Sequence, residues 1–423
     1  MSATTIDAPV PSDAAAERVP GYSWYALAIL TAVYVLNFLD RNLIYILFTP
    51  IKKEMAFSDL QLAILGTTSF VIFYTLLGVP FGMLADHVSR KAMIGGGLAV
   101  WSLFSGLTGF AHDFKTLFFC RLMVGVGEAT LGPAALSLLS DYFPPRMRAT
   151  VQSVYSSGIA VGGGLAFFLG GLIGQKWGWR PAFFALGFPG LVLAILVFFL
   201  REQPRGKTET VATTKSDASI LIKSKPLLYL YIGYALFALA SNNLGIWGPT
   251  FFVRVHHLSL LTVGTFAGLL AIGVGMPSMI LGGYVSDRVK RLFSGGRMAF
   301  TAWAAAASIP LWLIVLFANN LMLIVIVNAV LYGLAILWVG PATADIHDIA
   351  GPKLRGLGIG IFFSIVNLVA YGAGAPIIGR ISDKLGVAND ASQMRVALLV
   401  CPLACALGAI VLWMGSSAYK RSR

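Results

Sequence analysis

The sequence predicts an all-α membrane protein with twelve transmembrane helices in two pseudo-symmetric six-helix halves and both termini cytosolic. Three observations carry this. Of 423 residues, 57% are hydrophobic and only 12% charged, against about 45–50% and roughly 25% in soluble globular chains. The apolar residues gather into stretches of membrane-crossing length, and mean hydropathy is +0.80. A charged loop pattern of the first half also recurs in the second. So little charge cannot cover a soluble body of this size, which leaves a multi-pass membrane protein.

Residues 1–20 carry Asp7, Asp13 and Glu17 without an apolar run, and read as a disordered cytosolic tail. A secretory signal would need a basic start and a short apolar core. A spanning helix needs about 20 mainly apolar residues. That ruler predicts spans at 24–48, 61–85, 91–110, 116–140, 150–174 and 180–200, then at 228–252, 261–285, 298–318, 321–345, 355–378 and 394–416. The domains expected are a first half at 21–200, a polar cytosolic linker at 201–226, a second half at 227–416 and a cytosolic tail at 417–423. Arg201, Arg205, Lys207, Lys215, Lys223 and Lys225 make the linker basic.

Loop Lys and Arg residues fix the orientation, because cytosolic loops keep them in excess. With both termini inside, the inner loops carry about twice as many as the outer ones, whose basic residues include Lys52, Lys53, Lys115, Arg180 and Arg254. The net charge of +13 is therefore spread between spans to orient them and does not form a nucleic-acid face. Cys120, Cys401 and Cys405 lie inside apolar runs with no His or carboxylate at ligand spacing, so they read as packing residues and no metal is expected. No cofactor is expected either.

The halves repeat. Gly82-Met-Leu-Ala-Asp86, followed by Arg90-Lys91, ends the second span; Gly283-Tyr-Val-Ser-Asp287, followed by Lys290-Arg291, ends the eighth. Asp141-Tyr-Phe-Pro-Pro145-Arg146 likewise matches Asp348-Ile-Ala-Gly-Pro352-Lys353 at nearly the same spacing. Two halves in like orientation are a transporter architecture, with substrate bound between them near the midplane.

These residues resemble the major facilitator superfamily, whose loop motif has the form Gly-x-x-x-Asp-Arg-x-Gly-Arg-Lys. Here His87 stands for its Arg and Ser89 for its Gly. The resemblance implies a cytosolic latch between the halves at Gly82, Asp86, Arg90 and Lys91, with Asp287 as the counterpart. Asn37-Phe-Leu-Asp40-Arg41 and Arg121-Leu-Met-Val-Gly125-Val-Gly127-Glu128 narrow it to the spinster-like lipid transporters. That family implies transport of lysophospholipids or sphingoid phosphates, with proton coupling in some members.

Charges inside the membrane point to the mechanism. A charge near the bilayer centre costs about 2.5–3.5 kcal/mol on insertion scales. Asp40, Arg41, Arg121 and Glu128 stand there in the first six spans, and no charge stands at mid-depth in the last six. At about 1.5 Å per residue, Asp40 and Arg41 lie about 12 and 10 Å below the outer face, and Arg121 and Glu128 about 8 and 18 Å. Arg121 and Glu128 share a helix face. Facing helices would join all four. Moving an Arg away would let Asp40 or Glu128 take a proton, while Arg41 and Arg121 suit an anionic head group. Asn37 and Tyr45 on the first span, Asn242 and Asn243 ahead of a Gly248-Pro249 break, and Ser364, Asn367 and Tyr371 on the eleventh are the candidate cavity residues. His256 and His257 read as solvated loop residues.

Gln61 and Gln152 sit only at helix starts, which leaves few neutral partners for sugar hydroxyls. Phe38, Phe70 and Phe73 suit an apolar or amphipathic substrate. No Ser/His/Asp set, metal motif or phosphate loop indicates an enzyme. The reading is a monomeric, proton-coupled secondary transporter of an amphipathic lipid in the cell membrane, in contact with protons and bilayer but not nucleic acid. The alternatives are proton symport of a small organic anion or sugar acid, and a non-transporting sensor.

Overall fold

Each of the twelve apolar stretches is a membrane-length helix in the computed structural model, which describes residues 19–85, 87–204, 219–292 and 296–421. In chain order the spans are Gly21–Ile46, Asp59–Ala85, Arg90–Phe110, Phe114–Tyr142, Thr150–Trp177 and Trp179–Phe198, then Lys225–Val255, Leu260–Lys290, Gly296–Phe317, Leu321–Gly351, Gly356–Lys384 and Ala391–Lys420. Helices satisfy their own backbone groups, which lipid cannot do, so apolar runs of this length take no other form. The tail at 1–18 and most of the linker lie outside the described residues. Within that linker, Ile220–Lys223 is a short helix.

Boundaries move where polar residues continue a helix beyond its apolar run. The seventh span starts at Lys225, with Pro226 in the first turn where its missing N–H costs nothing. The last helix runs to Arg421, past the expected end at 416. The Gly248-Pro249 break is absent: the seventh span passes through Pro249 as one helix.

Duplication is visible in the backbone. Ser58 and Ser259 cap the second and eighth spans, and Asp113 and Asn320 cap the fourth and tenth. The second and eighth spans each carry a π-helical turn, Ile64–Thr68 and Ala271–Gly275. The fourth and tenth are each interrupted, at 129–130 and 337–338.

The bundle has two unlike ends, the one where the linker lies (the linker end) and the opposite, far end. One hydrophobic core fills the second half and continues into the far-end part of the first, joining Ile44, Phe48 and Phe167 with Trp247 and Leu260. The linker-end core of the first half is separate, and its buried members all come from residues 26–200. Tyr371, partly buried, packs against both. The fifth and eighth spans meet backbone to backbone along the seam. A Cβ on Gly264 would stand 2.3 Å from the Phe167 carbonyl oxygen, and one on Gly171 2.7 Å from that of Leu260. Small residues permit such approach in lipid, where no hydrophobic force drives helices together.

Candidate functional site

The four intramembrane charges meet between the first and fourth spans. Arg41 reaches across with two donors, Nη2 at 2.7 Å and Nε at 3.1 Å from Glu128 Oε2. Asn37, one turn earlier, accepts a longer bond from Arg41 Nη2 at 3.5 Å. Asp40 does not enter the ion pair; its Oδ1 accepts from Ser105 Oγ of the third span at 2.7 Å. Arg121 faces the main chain, donating to the carbonyls of Asp40 and Arg41 at 3.3 and 3.4 Å. The expected four-member network is thus one ion pair flanked by a carboxylate on a hydroxyl and a guanidinium on two carbonyls. The four formal charges balance, yet Glu128 Oε1 and Arg121 Nε are buried without a partner.

Burial separates the roles. Asp40, Arg121 and Glu128 are buried, while the Arg41 side chain keeps 14% of its surface. Arg41 is also ringed by aromatic faces, its guanidinium 4.4 Å from the Phe70 centroid, 4.9 Å from Phe38 and 5.0 Å from Tyr74. Such faces hold a cation without neutralising it.

The second half supplies neutral groups. Tyr371 donates to Asn242 Oδ1 at 2.7 Å, and Asn243 donates to the carbonyls of Leu239 and Ala370. Tyr45 donates to the carbonyl of Gly66 in the π-helical turn. Ser364 closes onto its own helix at Gly360, and Asn367 begins the π-helical stretch Asn367–Gly374. The expected shared face of Ser364, Asn367 and Tyr371 is therefore rotated by that stretch, and of the three it is Tyr371 that reaches the seventh span. An apolar cavity lies between the fifth, seventh, eighth and tenth spans, walled by Phe167, Leu244, Phe252 and Phe266, with Asn328 and Tyr332 as its polar edge. Sequence reading did not single out Asn328 or Tyr332, which stand one turn apart inside an unbroken apolar run.

At the linker end the described motif residues bind within their own half or to the start of the linker. Arg90 pairs with Asp141 at 2.5 Å and Glu202 at 2.9 Å, and donates to Ser137 and the Gln203 carbonyl. The Lys91 amide donates to Glu202, and Gly82 faces Pro133 of the fourth span. Asp86 lies outside the described residues. Asp287 pairs with Arg297 at 2.6 Å. Arg297, which also meets Asp348, thus does in the second half what Arg90 does in the first, a role the spacing had suggested for Lys290-Arg291. Burial opposes ionisation of Glu202, yet hydrogen bonds from Arg90, the Lys91 amide and Ser89 hold its carboxyl below the usual range.

At the far end a carboxylate missed by sequence reading ties the halves. Asp59, fully buried at the start of the second span, accepts from Arg254 at 2.8 and 3.0 Å, from Lys52 at 2.6 Å and from Ser382 at 2.5 Å. Asp383 returns the contact, accepting from the main-chain N–H groups of Asp59 and Leu60 at 2.7 and 2.9 Å. His256 is not the solvated residue expected: it is half-buried against Phe251 and Phe252, and burial, with Arg395 nearby, lowers its pKa.

The Major Facilitator Superfamily model matches residues 30–371. The chain belongs to that superfamily. It is a multi-pass membrane transporter and not an enzyme. It is 27% identical over 418 residues to an MFS-type efflux pump of Mycolicibacterium smegmatis, covering 98% of this chain and 97% of that protein. Protein spinster homolog 3 of Danio rerio is 27% identical over 95% of this chain and 86% of its own length, and a hexuronate transporter of Bacillus subtilis is 28% identical over 60% and 62%. A crystal structure of a bacterial homolog to the human lysosomal transporter Spinster, inward-facing and unoccupied, has the same fold. Its TM-score is 0.87 at 24% identity, covering 95% of this chain and 98% of that one. The chain thus resembles the spinster-like branch of its superfamily.

Proposed function

We propose that this transporter moves an amphipathic anion, a lysophospholipid or sphingoid-type lipid, by alternating access coupled to protons. The observation that carries the proposal is the Arg41–Glu128 pair. Its cation is the one partly accessible member of the buried cluster, ringed by aromatics, and its carboxylate has one oxygen without a partner. A phosphate or carboxylate head that draws Arg41 away leaves Glu128 buried and unpaired. A carboxylate in that position takes up a proton more readily than it stays charged. Asp40, held by one hydroxyl, is the second carrier by the same reasoning. The apolar lining beside Asn328 and Tyr332 is of a kind an alkyl chain can lie against. With the linker end cytosolic, as the Lys and Arg excess favours, the far-end contacts make this the inward-facing state.

The test is reconstitution in liposomes under an imposed pH gradient, following labelled lysophospholipid with Glu128→Gln and Asp40→Asn alongside. Gradient-driven movement in the wild type, lost roughly a hundredfold or more in both variants, supports the proposal. Movement of a small organic anion or sugar acid, with the lysolipid left in place, replaces the substrate and keeps the coupling. Binding without movement of either makes the chain a sensor.

A further inference from the structure

The repeat exposes one buried carboxylate without a counterpart. Arg90 and Arg297 occupy the same place in the two halves, as do Asp141 and Asp348, and each Arg binds its Asp. Three residues before Asp141 stands Leu138, fully buried in the first half's core. Three residues before Asp348 stands Asp345, just as buried, with 3% of its surface exposed. An acid has replaced a core leucine.

The surplus charge of each cluster is handled differently. Beside the first half the surplus carboxylate is Glu202, at the start of the linker, whose side chain is 31% exposed and accepts from Arg90, Ser89 and the Lys91 amide. In the second half Arg297 and Lys290 face three carboxylates. Asp287 takes Arg297 at 2.6 Å, and Asp348 takes Arg297 at 2.6 Å together with Lys290. Asp345 is left with Arg297 Nη1 at 3.3 Å, and its Oδ2 is buried with no partner. Among the described residues, the other neighbours do not neutralise it. Tyr234 of the seventh span is bonded to Thr301, Gly358 of the eleventh packs on Ile346, and Leu221 of the short linker helix adds an apolar wall while Lys223 beside it is exposed. His347, two residues along the same helix, is also exposed.

We propose that Asp345 is a second proton-binding site of this transporter, in the second half and independent of Asp40 and Glu128. The proton comes from water at the linker end, where Asp287 and Asp348 are partly exposed. It converts the orphan oxygen into a hydroxyl and balances two cations against two carboxylates. Arg297 then loses its weakest contact and is held by Asp287 and Asp348 alone, which ties the end of the eighth span more closely to the start of the ninth. The cycle then has a proton-binding carboxylate in each half.

The test is a difference titration of the full-length protein in lipid nanodiscs. Proton uptake is counted with a pH dye between about pH 9 and about pH 5 for wild type, Asp345→Leu and Asp345→Asn. The Leu variant copies the first half's own packing, and the Asn variant keeps the volume, so agreement between them removes folding as an explanation. The wild type is expected to bind one more proton than either variant, and the excess is expected to persist when Asp40→Asn and Glu128→Gln are added to all three. Superposed curves would show that Asp345 takes up no proton in this range and overturn the proposal. An excess that vanishes in the Asp40→Asn, Glu128→Gln background would overturn its independence.

Discussion

At the far end one buried carboxylate, Asp59, takes donors from Phe48–Met55, the short helix after the first span, from the seventh span and from the eleventh. At the linker end Arg90 takes Asp141 of its own half and Glu202 where the linker begins, and Arg297 takes Asp287 and Asp348 of its own half. The difference teaches what each end costs to open. Parting the halves at the far end strips Asp59 of Arg254 and Ser382 and frees Asp383 from the second span's N-terminus. Parting them at the linker end leaves Arg90 with Asp141 and Arg297 with Asp287 and Asp348, because those pairs move with the half that holds them. Charges satisfied within a half, as these two Arg residues are, stay paired when that end opens and closes.

The largest expected effect follows from breaking the Asp59 cluster. Removing one member of a buried ion pair costs about 3–5 kcal/mol because the partner stays behind unpaired. Arg254 and Lys52 are 11% and 20% exposed, which lets water relieve part of that. Asp59→Asn should therefore shift the population toward a far-end-open state by roughly a hundredfold. Spin labels at the exposed Lys53 and Lys384, one on each half beside Asp59, would report a longer distance in the variant. An unchanged distance distribution would mean that packing, not this cluster, holds the far end.

The mid-membrane charges were more legible in the sequence than the far-end ones, for a physical reason. Asp40, Arg41, Arg121 and Glu128 stand out because a charge inside an apolar run is costly, and the structure brings all four together. Asp59 sits at the edge of an apolar run within Ser58-Asp-Leu-Gln61, where it reads as part of a helix start, and indeed Ser58 and Gln61 form that cap. Its partners Arg254, Ser382 and Asp383 belong to the other half, and local pattern carries no pairing at that separation. The count of twelve helices follows from hydropathy alone. The π-helical turns, which rotate Tyr371 relative to Ser364, leave no mark on composition. The part of Arg297 was hidden by the longer loop before the ninth span, which shifts the register of the repeated motif.

A smaller effect is expected from the seam. Gly264→Ala places a methyl 2.3 Å from the Phe167 carbonyl oxygen, a backbone atom that cannot swing aside. Overpacking of this kind costs about 1–3 kcal/mol, so the same label pair should show roughly a tenfold shift toward the open far end. Gly96→Ala, whose added methyl meets nothing within 4 Å, is the control and should leave the distances unchanged. Equal behaviour of the two variants would remove the fifth–eighth contact from the account of closure.

The smallest effect belongs to the linker end and tests whether its charges act within one half. Glu202 is held below the ordinary carboxylate range by its donors, so its contribution is present above the unfolded value, about 4.3 for Glu, and is lost as pH falls through the lower folded value. The side chain is partly exposed, and pairs of that kind are worth about 0–1 kcal/mol. Glu202→Gln should accordingly speed hydrogen exchange at the Lys91 amide, which donates to that carboxylate, by no more than a few-fold at neutral pH. The gap between variant and wild type should close under acid, once the wild-type Glu202 is itself protonated. The Lys53–Lys384 distance should not respond at either pH, since the pair joins no two halves. A change in that far-end distance would mean that the first half transmits its linker-end charge state across the bundle, and the contrast between the two ends would have to be redrawn as a coupling.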